Sequence, residues 1–252
     1  MHMKINVLFL LSLVLIGCHD NKRLQAQQPP SHELLDQILS RYVVNDVFNY
    51  RGLLKDSVKL NNYLLNISNQ PPADHWTKEE KLAYWINAYN AYTLKLIIDN
   101  YPLESITDLH PTIHIPLLNT VWHKKFFTIG GEPTSLDEIE HKILRKEFNA
   151  PRIHFAINCA STSCPPLRNE AFKASVLESQ LEEQTRVFIN DIERNEISPA
   201  NPKVSKIFSW FSGDFKKEQT IIQFINRYSE IQINEDADID YMKYNWGLND
   251  LP

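Results

Sequence analysis

Two cysteines five residues apart, Cys159 and Cys164, end the stretch Arg-Ile-His-Phe-Ala-Ile-Asn-Cys-Ala-Ser-Thr-Ser-Cys that begins at Arg152. A thiolate made by a neighbouring base attacks acyl carbon, whereas a pair of sulfurs can close a disulfide or hold a soft metal. Three readings follow. In the first, Cys159 is the nucleophile of a cysteine-dependent acyl-transfer hydrolase acting on a peptide, amide or ester. In the second, the domain is a non-enzymatic binding module and Cys159–Cys164 is a disulfide staple. Closing so small a ring would stabilise by only about 2 kcal/mol. In the third, Cys159, Cys164, His141 and Glu138 hold zinc. The four-residue gap between the cysteines is at the edge of the spacing zinc sites use, so no metal and no cofactor is expected.

The base for the first reading comes from His141 or His154. His141 lies four residues after Asp137 and three after Glu138 on an expected helix, so a carboxylate can sit beside its imidazole and orient it. His154 is five residues before Cys159 and is expected to point away from its strand's apolar face, which makes His141 the preferred base. Asn87 and Asn90, three apart, share a helix face; they are expected either to orient the base or to brace a neighbouring loop with their amides.

Several elements must position these groups. Ile153, Phe155 and Ile157 alternate with His154, Ala156 and Asn158, the period of a strand with one apolar face. Pro165-Pro166 stops either a helix or an inner strand, so the cysteines are expected on a constrained loop at a strand end. Thr77-Lys-Glu-Glu80 reads as a capping box that opens the most regular helix, with Trp85, Tyr89, Tyr92 and Leu96 as its core stripe. Ser135-Leu-Asp-Glu138 opens a second helix reaching Phe148, and Ser175-Val-Leu-Glu178 a third that carries Leu177, Leu181, Phe188 and Ile192 on one face.

Elsewhere, Leu34, Leu35, Ile38, Leu39 and Tyr42 follow helical spacing, and another helical run extends from Leu53 to Ile67 before Pro71-Pro72. Lys124 to Ile129 reads as a strand turned by Gly130-Gly131, Gln219 to Tyr228 as a helix, and Tyr241 to Asn249 alternates like a strand. Between Tyr101 and Trp122 three prolines dissolve the pattern, and His110, His114 and His123 show no metal-ligand spacing. The sum is one α+β domain, residues 31–252, mostly helical and packed around a small β-sheet.

The chain has 252 residues, 43% hydrophobic and 23% charged, an ordinary globular composition. Its start differs. Lys4 precedes the apolar run Ile5 to Ile16, too short to span a bilayer, so residues 1–17 read as a secretory signal peptide. Leu15-Ile16-Gly17-Cys18 resembles a bacterial lipoprotein cleavage box, in which Cys18 would carry the lipid and residues 18–30 would be a tether. This places the domain at the cell envelope, on the outer membrane or periplasmic face, with a membrane and an unidentified envelope substrate or partner. It also leaves Cys159 and Cys164 as the remaining thiols in an oxidising compartment. Removing Lys4 with the leader takes the formal charge from −5 to −6. No basic stripe is present, so nucleic acid is not an expected partner.

Five blocks together resemble the domain of unknown function numbered 547, found in bacteria and plants: 84–91 (Tyr84 to Ala91), 127–131, 135–141, 154–168 and 244–246. The resemblance covers roughly Thr77 to Asn249 and implies no activity. Similar plant domains are joined to glutaredoxin-like segments, which points toward thiol chemistry. Where the family more often has an acid this chain has Asn245, a departure that weakens any role for that position as an orienting carboxylate.

The address is directly testable. Cys18→Ser is expected to abolish metabolic incorporation of palmitate, and undiminished labelling of that variant would place the lipid elsewhere or remove it from the account.

Overall fold

The computed structural model describes residues 28–113, 115 and 118–252. The expected leader, Cys18, most of the tether and His114 lie outside the described residues. The chain forms helices α1 (Glu33–Tyr42), α2 (Tyr50–Lys55), α3 (Ser57–Asn69) and α4 (Lys78–Ile98), with strands β1 (Val43–Val44) and β2 (Val47–Phe48) between the first two. Then come β3 (Phe127–Ile129), β4 (Glu132–Thr134), the π-helical stretch Glu138–Leu144, α5 (Arg145–Glu147), a 3₁₀ turn Pro151–Phe155 and α6 (Leu177–Ile189). β5 (Lys203–Val204), α7 (Lys206–Trp210), α8 (Ser212–Phe215), α9 (Ile221–Asn226) and β6 (Asp240–Tyr241) complete it. Among the described residues β1 pairs with β2 and β3 with β4, antiparallel, while β5 and β6 run parallel. The domain is α+β and mostly helical, with the sheet content divided into these pairs.

The middle is held by α4. Its capping box is formed, Glu80 N–H donating to Thr77 Oγ1 at 3.1 Å and Thr77 N–H to Glu80 Oε2 at 2.7 Å. Unlike a surface helix, which buries one stripe, α4 is buried around its whole circumference from Leu82 to Ile98, apart from the half-buried Trp85 and Lys95. Asn87 and Asn90 are therefore inside, where an amide needs partners. Asn87 donates to the Phe172 carbonyl (2.7 Å) and accepts from its N–H (2.9 Å). Asn90 donates to the Ala156 carbonyl (2.9 Å) and accepts from Asn158 N–H (2.9 Å). Each side chain pairs with main chain as a strand would.

Residues 153–157 are the main correction. They form a 3₁₀ turn and its exit rather than a strand, Ile153 N–H reaching the Ala150 carbonyl (3.0 Å) and Ala156 N–H the Ile153 carbonyl (2.9 Å). Pro151 at the first turn suits this start. The alternation of residue type had no alternation of exposure behind it, since every residue from Ile153 to Asn158 is buried. A turn of three residues sends neighbours in three directions: Ile153 into the α4 core, Phe155 into a second core with Phe188, Phe208, Phe215 and Phe224, and His154 onto Phe211.

Other boundaries shift for local reasons. The helical run expected over 53–67 breaks at Asp56, whose carboxylate takes the Tyr42 hydroxyl (2.8 Å) and Arg41 (3.0 Å). The third capping box does not form, because Glu178 is drawn into a bidentate pair with Arg152, both contacts 2.8 Å. Helix α6 then stops at Ile189, leaving Ile192 exposed. The tail expected to be a strand is one only at β6, the rest running extended past other segments. The β3–β4 turn is as expected, Gly130 and Gly131 taking φ of +61° and +85°, values that glycine adopts without strain.

Asn90→Ala leaves a buried carbonyl and a buried N–H unpaired, and is expected to destabilise by about 2–4 kcal/mol. The readout is the urea midpoint at unchanged slope. Asn62→Ala, exposed on α3, should cost under about 0.5 kcal/mol. Equal effects for the two variants would dismiss the amide clamp.

Candidate functional site

Cys159 and Cys164 are joined in a disulfide, their Cα atoms 6.2 Å apart. The two ends differ in exposure: Cys159 is half-buried and Cys164 is 3% exposed. The loop between them is shaped from inside by Asn158, whose Oδ1 accepts from Ala160 N–H (2.7 Å) and whose Nδ2 donates to the Pro165 carbonyl (2.7 Å). Ala160 is held at φ +64°, a left-handed conformation that L residues adopt only when surroundings impose it. From outside, the C-terminal segment is stitched on. Thr162 N–H donates to the Gly247 carbonyl (2.7 Å), Ser163 N–H to that of Asn245 (3.2 Å), and Asn249 N–H to that of Ala160 (3.1 Å).

Donors converge on the buried sulfur. Cys159 N–H points at Cys164 Sγ at 2.9 Å, and the Tyr244 hydroxyl donates to the same atom at 3.4 Å. Ser161 Oγ–H donates to the Tyr244 oxygen (3.0 Å), which leaves the phenolic proton for sulfur. Burial raises the Tyr244 pKa above its ordinary value, so it remains a donor at neutral pH. Arg194 Nε–H holds the Cys164 carbonyl at 2.8 Å.

Beside this pair runs a polar chain that the π-helical stretch organises. Both Nε2 atoms of His123 and His141 face Asp137 Oδ1, at 3.4 and 3.6 Å. Arg145 donates from Nη1 to His141 Nδ1 (2.8 Å) and from Nε to Asp214 Oδ2 (2.6 Å), which also accepts from His154 Nε2 (2.8 Å). Burial is the largest influence on His141 and holds its pKa below the ordinary value, Arg145 reinforcing and Asp137 opposing. Burial takes His154 down to about 4 in spite of Asp214. Asp214 goes the other way: burial alone would raise it, but the bonds from His154 and Arg145 outweigh that and hold it well below the usual carboxylate range. Glu140 accepts from the Tyr89 hydroxyl at 3.3 Å. Surrounding protein desolvates its carboxyl and pushes it up to about 7, although part of the residue reaches solvent; Asp137 and Asp214 reinforce the shift and Arg145 opposes it. Tyr244 lies within electrostatic reach of Glu140.

Tyr244 also begins an aromatic ledge. Its ring is 4.7 Å from Trp210 and 4.5 Å from Trp246; Trp210 and Trp246 lie near parallel at 5.8 Å, and Trp122 adds to Trp246 at 5.6 Å. Two cavities lie elsewhere. One of about 610 Å³ is bounded by Pro29 to Glu33, the start of α4 and Lys173 to Ser175; one of about 210 Å³ lies among Arg152, Glu178, Asp214 and Arg227. Neither is lined by Cys159, Cys164 or Tyr244.

The expected residues therefore separate. Cys159 and Cys164 meet each other. His141 and His154 are joined through Arg145 and Asp214, and their described bonds go to those partners; the bonds described at the sulfurs come from Cys159 N–H, Ser161 and Tyr244. Glu138 does not orient His141: it caps its helix at Ser135 and binds Lys125 (3.0 Å) and Lys142 (2.9 Å) on the outside. The inward carboxylates are Asp137 and Glu140. Asn87 and Asn90 act as loop braces. A zinc set of Cys159, Cys164, His141 and Glu138 is not assembled, and among the described residues no group of three or more His, Cys, Asp or Glu could hold a metal. Arg145 was discoverable, being four residues after His141; Asp214 carried no local signal.

The shifts have opposite signs in one pH window. For His154 the unfolded form, with its ordinary value of 6.5, binds the proton between pH 6.5 and about 4 while the folded form does not. Its share of stability is present above pH 6.5 and is lost as pH falls. For Glu140 the folded form holds the proton between 4.5 and about 7, so its share is present at low pH and is lost as pH rises. Relative to wild type, His154→Gln should flatten the fall of Tm between pH 6.5 and 4.5, and Glu140→Gln should steepen it. Parallel Tm profiles for all three proteins would refute both assignments.

The family described as Protein of unknown function, DUF547, matches residues 73–189, which contain α4, the π-helical stretch, the disulfide loop and α6. No curated protein and no solved structure matches the chain. The segment that supplies both sulfurs, His141, His154 and the two asparagine braces thus belongs to the DUF547 family.

Proposed function

We propose that this chain is a lipid-anchored protein of the bacterial cell envelope whose domain performs thiol–disulfide exchange at Cys159–Cys164. The observation that supports it is the asymmetry of the pair: a half-buried Cys159, and a buried Cys164 whose sulfur already receives two donors. An incoming thiolate forms a bond to Cys159 Sγ, the S–S bond breaks, and its electron pair leaves on Cys164. Exchange is faster when the leaving thiolate is better stabilised, and hydrogen bonds to a charged acceptor are worth roughly 1.5–3 kcal/mol each. A second thiolate on the partner then attacks the partner's own sulfur in the mixed disulfide and releases Cys159. The partner dithiol becomes a disulfide, and the pair takes up two electrons and two protons. Run backwards, the same steps oxidise the pair.

The acyl-transfer reading requires the disulfide to be opened first and an imidazole to reach Cys159, and both candidate imidazoles are committed to Arg145, Asp137 and Asp214. Exchange needs neither. The staple reading of a binding module draws on the backbone bonds between the loop and residues 245–249, and it makes a different prediction about accessibility.

A small dithiol applied without denaturant, followed by intact mass, separates these. Exchange predicts reduction of the folded protein, and Cys164→Ser trapped on a disulfide-containing peptide through Cys159. Tyr244→Phe should slow reduction about 10-fold, the loss of roughly one hydrogen bond to the leaving sulfur. Reduction only after unfolding would reject exchange in favour of the staple.

A further inference from the structure

The aromatic ledge is continuous with the disulfide through a single side chain. The Tyr244 hydroxyl contacts both sulfurs at 3.4 Å, while its ring packs on Trp210 and Trp246. These rings come from α7 and the C-terminal segment, and Trp122 joins from a third part of the chain. Trp210 is 47% exposed. So large an apolar ring, half in water at the edge of a reactive bond, is an unusual use of a residue that binding surfaces favour. The rings of Trp210 and Trp246 are stacked, 22° between planes and 5.8 Å between centroids, so the half-exposed Trp210 caps a small aromatic stack. Tyr244, inclined at 52–54° to both, ends that stack at the sulfur side.

Exposed aromatic ring surface beside a bond attacked from outside suits a segment of polypeptide, one apolar side chain of which lies on the rings while its cysteine meets Cys159. We propose that the ledge of Trp122, Trp210, Tyr244 and Trp246 selects the exchange partner: an extended cysteine-containing polypeptide with a bulky aromatic or aliphatic residue within a few positions of its cysteine. This rests on the exchange reading and adds the class of substrate to it.

The test compares two dithiol peptides that differ at one flanking position, Phe in one and Gly in the other, reacting with the oxidised full chain. The expected result is at least 10-fold faster reduction by the Phe peptide. That ratio should fall toward one in Trp210→Ala and be largely retained in Trp210→Phe, which keeps an aromatic face. Because the ratio is internal to each variant, a general loss of reactivity does not mimic the effect. Equal rates with both peptides in wild type would overturn the ledge while leaving exchange standing. Failure of the folded protein to react with either peptide or with a small dithiol would overturn both.

Discussion

One buried amide sets the position of everything near the sulfurs. Asn90, on the central helix, binds the main chain on both sides of Ile157, and the next residue with a buried amide, Asn158, binds the main chain at both ends of the thiol loop. The two act in series. α4 is fixed by burial on every face, Asn90 transfers that fixity to residues 156–158, and Asn158 transfers it to residues 160 and 165. A hydrophobic contact could not do this, because apolar packing is non-directional whereas an amide that donates and accepts to one strand of backbone specifies its register. In a low-dielectric interior the alternative to these bonds is costly, which favours this loop conformation over those that break them.

The second organising device is the π-helical stretch. Wider helical turns change which side chains share a face, and such stretches recur at functional sites. Here they divide a run of charged residues into two populations. Glu138 and Lys142 pair on the outside, whereas Glu140, His141 and Arg145 turn toward Tyr89, Asp137 and Asp214. The arithmetic of donors then fixes the imidazoles. His141 Nδ1 accepts from Arg145, and His123 Nδ1 accepts from Thr120 N–H at 3.2 Å. In each neutral ring the proton must therefore reside on Nε2, where it faces Asp137. Neither ring offers a lone pair to a thiol or a cation on that side. The chain of histidines and acids that looks catalytic in outline is satisfied internally except at His154 Nδ1, which is buried without a hydrogen-bond partner among the described residues.

How much of this was legible in the sequence follows from the range of the forces involved. The caps at Thr77 and Ser135, the Gly130-Gly131 turn and the brace role of Asn87 and Asn90 were readable, because each depends on residues within a few positions or on a helix period. The 153–158 segment misled because polarity alternates there for two different reasons. Ile153, Phe155 and Ile157 face apolar cores, but His154 and Asn158 are equally buried and held by Asp214, Asn90 and Pro165. A buried polar residue with a distant partner looks like a solvent-facing one until the partner is known. Asp214 and Tyr244, respectively 60 and 80 positions from the groups they serve, could be found only once the chain was folded. Of the two carboxylates that helical spacing set beside His141, Asp137 faces it, whereas Glu138 turns outward to Lys125 and Lys142.

These constraints bear on how the sulfurs can behave with pH. A cysteine activated by an imidazole follows the titration of that imidazole, but the donor to Cys164 Sγ is a phenol kept protonated by burial, so this hydrogen bond persists across the physiological range. Glu140, pushed up to about 7 by burial, lies within electrostatic reach of Tyr244. On the exchange proposed above, a negative charge on Glu140 works against a second negative charge beside Tyr244 and a protonated Glu140 does not, so Glu140 and the incoming thiolate respond to rising pH in opposite directions.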